Sequence, residues 1–188
     1  MTDIATLHHQ ALDATRVTVA GLKPDQLSLP TPDDAWDVRA LLNHVVSGNF
    51  WAAELACGRT IADVGDRLDG DVIGDDPLGT YTASANVAAA AFEAPGALDA
   101  PCAVSYGPVP GSVYAGHRFI DVLIHGWDLA KATGQSTALD PHLVEGCFAV
   151  IEPQIDLLRG SGMFGDDVRA PAGADAQTRL LALLGRRA

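Results

Sequence analysis

The sequence predicts an all-α fold, and three observations predict it. Apolar residues recur at steps of three and four through six separate segments, the period of helices that bury one face. Most of these segments open on an Asp, twice as Asp-Pro, and close on Gly or Pro, as helices do. One short stretch alone alternates as a strand would. The length of 188 residues suits a single domain, with a bundle core over about 1–135 and a helical extension over about 139–188.

The first helix runs from about Asp3 to Leu22, with Ile4, Leu7, His8, Ala11, Thr15, Thr18 and Leu22 on one face, and ends before Pro24. The loop LSLPTPDDAW breaks regular structure, and Asp37 then caps a second helix, Val38 to about Cys57. Trp36 is expected to pack on Leu41 as a hydrophobic staple. Leu41, Val45, Gly48, Ala52 and Leu55 form the stripe of this helix, with His44 on its edge. Gly48 makes room either for a ligand or for a neighbouring helix.

Residues 58–76 hold four glycines and six aspartates without a period and read as a long acidic loop, a candidate cover for a site. Asp76-Pro77 starts a third helix whose face carries Leu78, Tyr81, Ala85, Ala88, Ala89 and Phe92, and Pro95-Gly96 stops it. LDAPCAVSYGPVPG follows, a short strand pair or an extended connection, since a lone hairpin is marginal. Ser112 is placed to cap a fourth helix that ends at Gly134. Asp140-Pro141 opens a fifth, to about Arg159, with Leu143, Val144, Cys147, Val150, Ile151 and Leu158 inward and Pro153 bending or breaking it. After the loop GSGMFGDDVRAPAGAD, Asp175 caps a last helix to about Leu184.

The net charge of −12, from 12 basic and 24 acidic residues, argues against a nucleic-acid partner. No apolar run approaches the roughly 20 residues that span a bilayer, and the start MTDIATLHHQALDA reads as a helix rather than a signal peptide, so a soluble, cytoplasmic protein is expected. Cys57, Cys102 and Cys147, with no Cys-x-x-Cys, read as reduced and buried thiols.

Chemistry concentrates in HRFIDVLIHGWDLAKATG, His117 to Gly134. Asp121 and His125, four apart, point the same way on adjacent turns, opposite a face of Ile120, Leu123, Ile124 and Trp127. One reading is an ordinary i, i+4 ion pair. The other joins them to His44 of the second helix, giving two imidazoles and a carboxylate as a three-donor set for a divalent ion with positions left open. The apolar flanks of Asp121 favour the second, because a partly buried carboxylate needs a partner. His117, Asp128 and His8 are candidates for supporting positions, Asp128 having Lys131 as a rival partner. No serine or cysteine sits in a nucleophile signature, and no glycine-rich phosphate loop follows a strand, so catalytic residues beyond the donor set stay unassigned.

DVRALLNHVVSGNFW and HRFIDVLIHGWDLAKATG, with the tail GADAQTRLLALLGR, resemble the actinobacterial DinB-like metal-binding proteins related to the N-terminal domain of mycothiol-dependent maleylpyruvate isomerase. The resemblance implies a four-helix bundle with additional C-terminal helices and a divalent metal on His44, Asp121 and His125. Zinc is the ion it implies first, with nickel or manganese as alternatives, and a mycothiol-type thiol as cosubstrate. The partners implied are a small-molecule thiol and an electrophile, in transferase or isomerase chemistry; a homodimer is left open as the assembly. The alternative is a non-catalytic protein that binds a metal or small ligand. Asp121 stands where the isomerase has the longer glutamate, and only a helix, a loop and a short helix are expected where the isomerase has a separate C-terminal domain, which puts maleylpyruvate isomerisation itself in question.

Overall fold

The computed structural model describes residues 3–155 and 168–187. They divide into two compact units, one through Thr137 and one from Ala138 onward.

The first unit is built on α1 (Ile4–Ala20), α2 (Val38–Ala56), a single-turn α3 (Ile61–Val64), α4 (Pro77–Glu93) and α5 (Gly111–Thr133). The four long helices close a ring in which α1 packs on α5 and α4, and α2 packs on α4 and α5. This is the expected all-α bundle. Leu12, Leu41, Leu42, Tyr81, Phe92, Phe119, Ile120 and Trp127 fill its interior. At about 25 cal/mol per Å² of apolar surface removed from water, such side chains are the main driving term for the unit.

Helix α5 is the central element. From Tyr114 to Ala130, every residue but His117 and Asp121 is buried. Gly126 lets α1 approach closely, since a Cβ there would lie 2.3 Å from Thr15 Oγ1. Thr15 donates from that oxygen to the Val122 carbonyl at 3.0 Å. The helix ends at Gly134, left-handed at φ 69° and free of the Cβ penalty there. Just beyond, Gln135 donates its Nε2 to the Thr18 carbonyl of α1 at 3.0 Å, and Gln26 donates to the Thr133 carbonyl at 3.1 Å.

Several boundaries differ from expectation. Ser112 lies inside α5, which starts at Gly111 after Pro110, so it does not cap the helix. The acidic stretch 58–76 is not all loop: Thr60 and Asp63 form a reciprocal capping box that closes α3. The rest of that stretch runs along α2. Asn43 bonds Gly70 and Val72, Ser47 bonds Leu68, and Arg39 pairs with Asp71. Leu78, expected inward, is 40% exposed at the first turn of α4. Cys57 is also exposed, at the C-cap of α2, whereas Cys102 and Cys147 are buried.

Residues Pro101–Val104 (β1) and Gly107–Pro110 (β2) do pair, antiparallel, with Cys102 opposite Val109. The hairpin escapes the instability of an isolated one because it is attached: Cys102 is fully buried, and Ala103 forms a bridge with Thr60.

The second unit contains α6 (Pro141–Ile151), a 3₁₀ turn through Pro153 at Glu152–Gln154, and α7 (Ala176–Leu183). The α-helical pattern stops before Pro153, as its missing amide requires. Leu143, Val144, Cys147, Leu180 and Leu181 are buried. Asp140 and Asp175 cap the two helices as expected. Leu158, the expected end of this helix near Arg159 and most of the loop before Arg169 lie outside the described residues.

Candidate metal centre

The centre starts with the turn before α2. Thr31 donates its hydroxyl to the Trp36 carbonyl at 2.8 Å, Pro30 and Asp37 form a bridge, and Asp37 accepts from the Ala40 amide. These bonds fix where the chain enters the helix and where Trp36 points. Its ring stacks on His44, centroids 4.6 Å apart and planes 24° apart, and meets His125 edge-on at 5.8 Å. Besides any staple toward Leu41, the ring thus has a stacking role on an imidazole.

The structure brings His44, Asp121 and His125 together. Asp121 Oδ1 is 3.3 Å from His44 Nε2 and 3.5 Å from His125 Nε2, and one donor atom from each residue falls within 4.8 Å of the others. A tetrahedral ion with bonds of about 2.0–2.1 Å has donor-to-donor edges of roughly 3.4 Å, so these two separations fit the edges of such a site. The side chains of His44 and Asp121 remain 35% and 23% exposed, which leaves an approach from solvent.

Each donor is aimed by a second contact. His125 Nδ1 lies 3.0 Å from Asp128 Oδ2, so a proton on Nδ1 is held there and Nε2 is the ring atom turned toward Asp121 and His44. Asp128 is fully buried and serves His125, while Lys131 lies over the Trp127 ring at 5.4 Å. Arg118 Nη1 donates to Asp121 Oδ2 at 2.9 Å, leaving Oδ1 as the donor facing the imidazoles. The guanidinium is itself held by Asn49 Oδ1 at 3.3 Å, Asn49 donates to Ser84 Oγ at 3.2 Å, and Ser84 donates to the Tyr81 carbonyl. Gly48 is where the guanidinium fits: a Cβ would sit 2.4 to 2.6 Å from its atoms. The room anticipated at Gly48 belongs to an arginine from the facing helix.

The electrostatics follow from these contacts. Burial alone would raise the pKa of Asp121, but Arg118, His125 and hydrogen bonds from both histidines hold it well below the usual carboxylate range. Burial alone would lower His125, yet Asp121 and Asp128 carry it up to about 9. With the ion absent, the proton and the metal are alternative partners for the same carboxylate and imidazole.

The other candidates lie elsewhere. His117, one turn before Asp121, has Nδ1 2.6 Å from the Tyr106 hydroxyl at the hairpin turn. His8 is fully buried on α1, edge-on to Phe92 at 5.2 Å, and neither ring nitrogen has a hydrogen-bond partner among the described residues. It does not reach the donor set. Arg118 and Trp36 are the site residues that sequence reasoning missed. The spacing Arg118-x-x-Asp121 was a usable signal, because i, i+3 places opposite charges together on a helix; the orientation of Trp36 had none.

The chain matches the family described as the mycothiol maleylpyruvate isomerase N-terminal domain over residues 8–130. It is also similar to two uncharacterized proteins of Mycobacterium tuberculosis, from strains CDC 1551 / Oshkosh and ATCC 25618 / H37Rv. Each is 37% identical over 184 residues, covering 95% of both chains. No solved structure matches significantly. None of the described helices is long and apolar enough to cross a membrane. With a family match that spans the four long helices of the first unit and all three donor residues, the chain belongs to the mycothiol maleylpyruvate isomerase N-terminal domain family.

Proposed function

We propose that this protein is a cytoplasmic, zinc-dependent enzyme that brings a low-molecular-weight thiol of the mycothiol type to an electrophile, with His44, Asp121 and His125 as the metal ligands. The observation that carries the reading is the donor set itself: two imidazole nitrogens around one carboxylate oxygen at 3.3 and 3.5 Å, each backed by a separate orienting contact. A structural zinc is normally closed by four protein ligands, whereas three ligands and a solvent-facing side are the pattern of a catalytic one.

A bound divalent ion supplies Lewis-acid charge that lowers the pKa of a coordinated thiol, so that thiolate persists at neutral pH. The protein's own residues do the positioning. Asp128 keeps the His125 proton on Nδ1 and the ring in one orientation. Arg118 turns Asp121 so that a single oxygen faces the ion, and it neutralises the carboxylate charge that would otherwise add to that of a thiolate. Trp36 covers one face of His44 and shields that side from water. Asp121 carries one methylene less than glutamate, so the ion would be held close to α5.

Elemental analysis of purified protein tests the ligand assignment. One zinc per chain is expected for wild type, with loss in both His44→Ala and His125→Ala; a stoichiometry untouched by both changes refutes it. Loaded protein that binds thiols yet transfers them to no electrophile would instead support a binding protein on the same ligands.

A further inference from the structure

The seam between α2 and α5 continues past the candidate metal centre into a second site. The two helices run antiparallel there. His44 faces Asp121, while Arg118, one turn earlier on α5, reaches Asn49, further along α2. Trp51 lies seven residues after His44, and Tyr114 lies seven before Asp121. Seven residues are about two turns, or roughly 10 Å of rise, so both steps lead the same way along one seam. They end at a cleft of about 350 Å³ lined by Trp51, Leu55, Ile61, Val104, Tyr106 and Tyr114.

Three properties of this cleft bear on its occupant. Among the described residues no Lys, Arg, Asp or Glu lines it, so a charged group, such as either end of a dicarboxylate, finds no counter-ion in that lining. Three of its walls are aromatic rings, which favour another ring stacked or edge-on. Its volume exceeds the roughly 150 Å³ that accommodates benzene in a protein cavity and suits about two fused rings. It is also open to solvent at its rim: Ile61 is 42% and Tyr106 55% exposed.

The ground between cleft and centre is not neutral. His117 lies on the intermediate turn of α5 and, with Asp121, forms the break in the otherwise buried run from Tyr114 to Ala130. Its Nδ1 is 2.6 Å from the hydroxyl of Tyr106, which lines the cleft, so the pair joins the cleft to this turn of α5. If the imidazole donates in this bond, the phenol proton is free to donate to a ligand oxygen; if the phenol donates, its oxygen still accepts. Ala103, bridged to Thr60, holds the hairpin that carries Tyr106 against the start of α3.

We infer that this cleft receives the uncharged aryl portion of the electrophile, with the Tyr106–His117 pair contacting a polar oxygen of the substrate between the ring and the donor set. The inference rests on the reading of His44, Asp121 and His125 as a thiol-presenting zinc centre, and it narrows the substrate class from any electrophile to an aryl-bearing, uncharged one.

The test uses the full chain, zinc-loaded, and two thiols: propane-1-thiol and 3-(2-naphthyl)propane-1-thiol. Calorimetric titration should show the naphthyl compound binding wild type at least about tenfold more tightly, the expected direction for burying a bicyclic ring. Ile61→Trp, which fills the cleft from its exposed rim, should bring the two affinities together, and Tyr106→Ala, also at an exposed position, should shrink the difference. Equal affinities in wild type, or a difference unchanged in both variants, overturn the proposal. Failure of the metal reading is separable. If wild type takes up no zinc, binding of 2-naphthol to the metal-free chain is followed by the nitrogen-15 shift of the Trp51 indole. A shift that Ile61→Trp abolishes supports the cleft, and no shift overturns it.

Discussion

Two histidines in this bundle are buried to a similar degree and end at opposite extremes. His8, on α1, is fully enclosed, meets the edge of Phe92, has no hydrogen-bond partner among the described residues, and is pushed down to about 3 by burial, with the positive Arg118 and neighbouring His9 adding to the effect. His125, on α5, is 8% exposed, faces Asp121 and Asp128, and is carried up to about 9. Burial is common to both, so burial alone does not mark a functional imidazole. Carboxylates placed at both ring nitrogens do.

The largest effect is expected from removing what distinguishes His125. Asp121→Ala takes away the carboxylate facing its Nε2 and also strands the Arg118 guanidinium, whose side chain is 9% exposed. Leaving one partner of a buried pair alone costs about 3 kcal/mol or more. Urea unfolding should show that loss, and Arg118→Met added to Asp121→Ala should recover most of it; a double variant no more stable than the single one contradicts the account.

Next comes the other histidine. The folded state holds His8 neutral, while the unfolded chain takes up a proton below about 6.5. Its contribution is therefore complete above pH 6.5 and is lost as pH falls toward 3. Between pH 6.5 and 5 the loss is about 2 kcal/mol. Stability measured against pH in wild type and His8→Leu should diverge in slope over that window, with the variant flatter. Parallel curves would mean that His8 is protonated in the native state after all.

The smallest effect on stability probes the support behind Asp121. Gly48→Ala gains about 1 kcal/mol of helix propensity, but the added methyl collides with a guanidinium held by Asp121 and Asn49, at a typical overpacking cost of about 1–3 kcal/mol. The expected net is a loss of about 1 kcal/mol, with zinc affinity falling more than stability does because Asp121 loses its orientation. Urea unfolding and a zinc titration, run side by side, separate the two quantities. Unchanged zinc affinity would show that Arg118 does not aim the carboxylate.

Much of this molecule was readable before its structure. The four long helices follow from apolar periodicity and from caps at Asp37 and Asp76, because those signals are local. His44, Asp121 and His125 were legible as a set, and the structure does bring them together. What escaped is what depends on the facing helix. The spacing of Arg118 and Asp121 hints at their pairing, but that the guanidinium is buried over Gly48 shows only with α2 in place, and nothing in the order of residues says that Trp36 turns onto His44. The hairpin was undecidable for a related reason: its stability comes from the burial of Cys102 and the bridge to Thr60, not from its own strands.

The bonds that tie the ends of α1 and α5 have a mechanical consequence. Thr15 grips Val122 at mid-length, and residues just past the helix ends add two more bonds, Gln135 to Thr18 and Gln26 to Thr133, so the two helices cannot slide past each other without breaking three hydrogen bonds. They act as one stiff beam, and α5 delivers Asp121 and His125 from it with little freedom. The hairpin stands outside these bonds: it presents Tyr106 at its turn and leaves it 55% exposed. A ligand seated against Tyr106 would leave those three bonds intact, so the donor spacing would stay constant across ligands of different size.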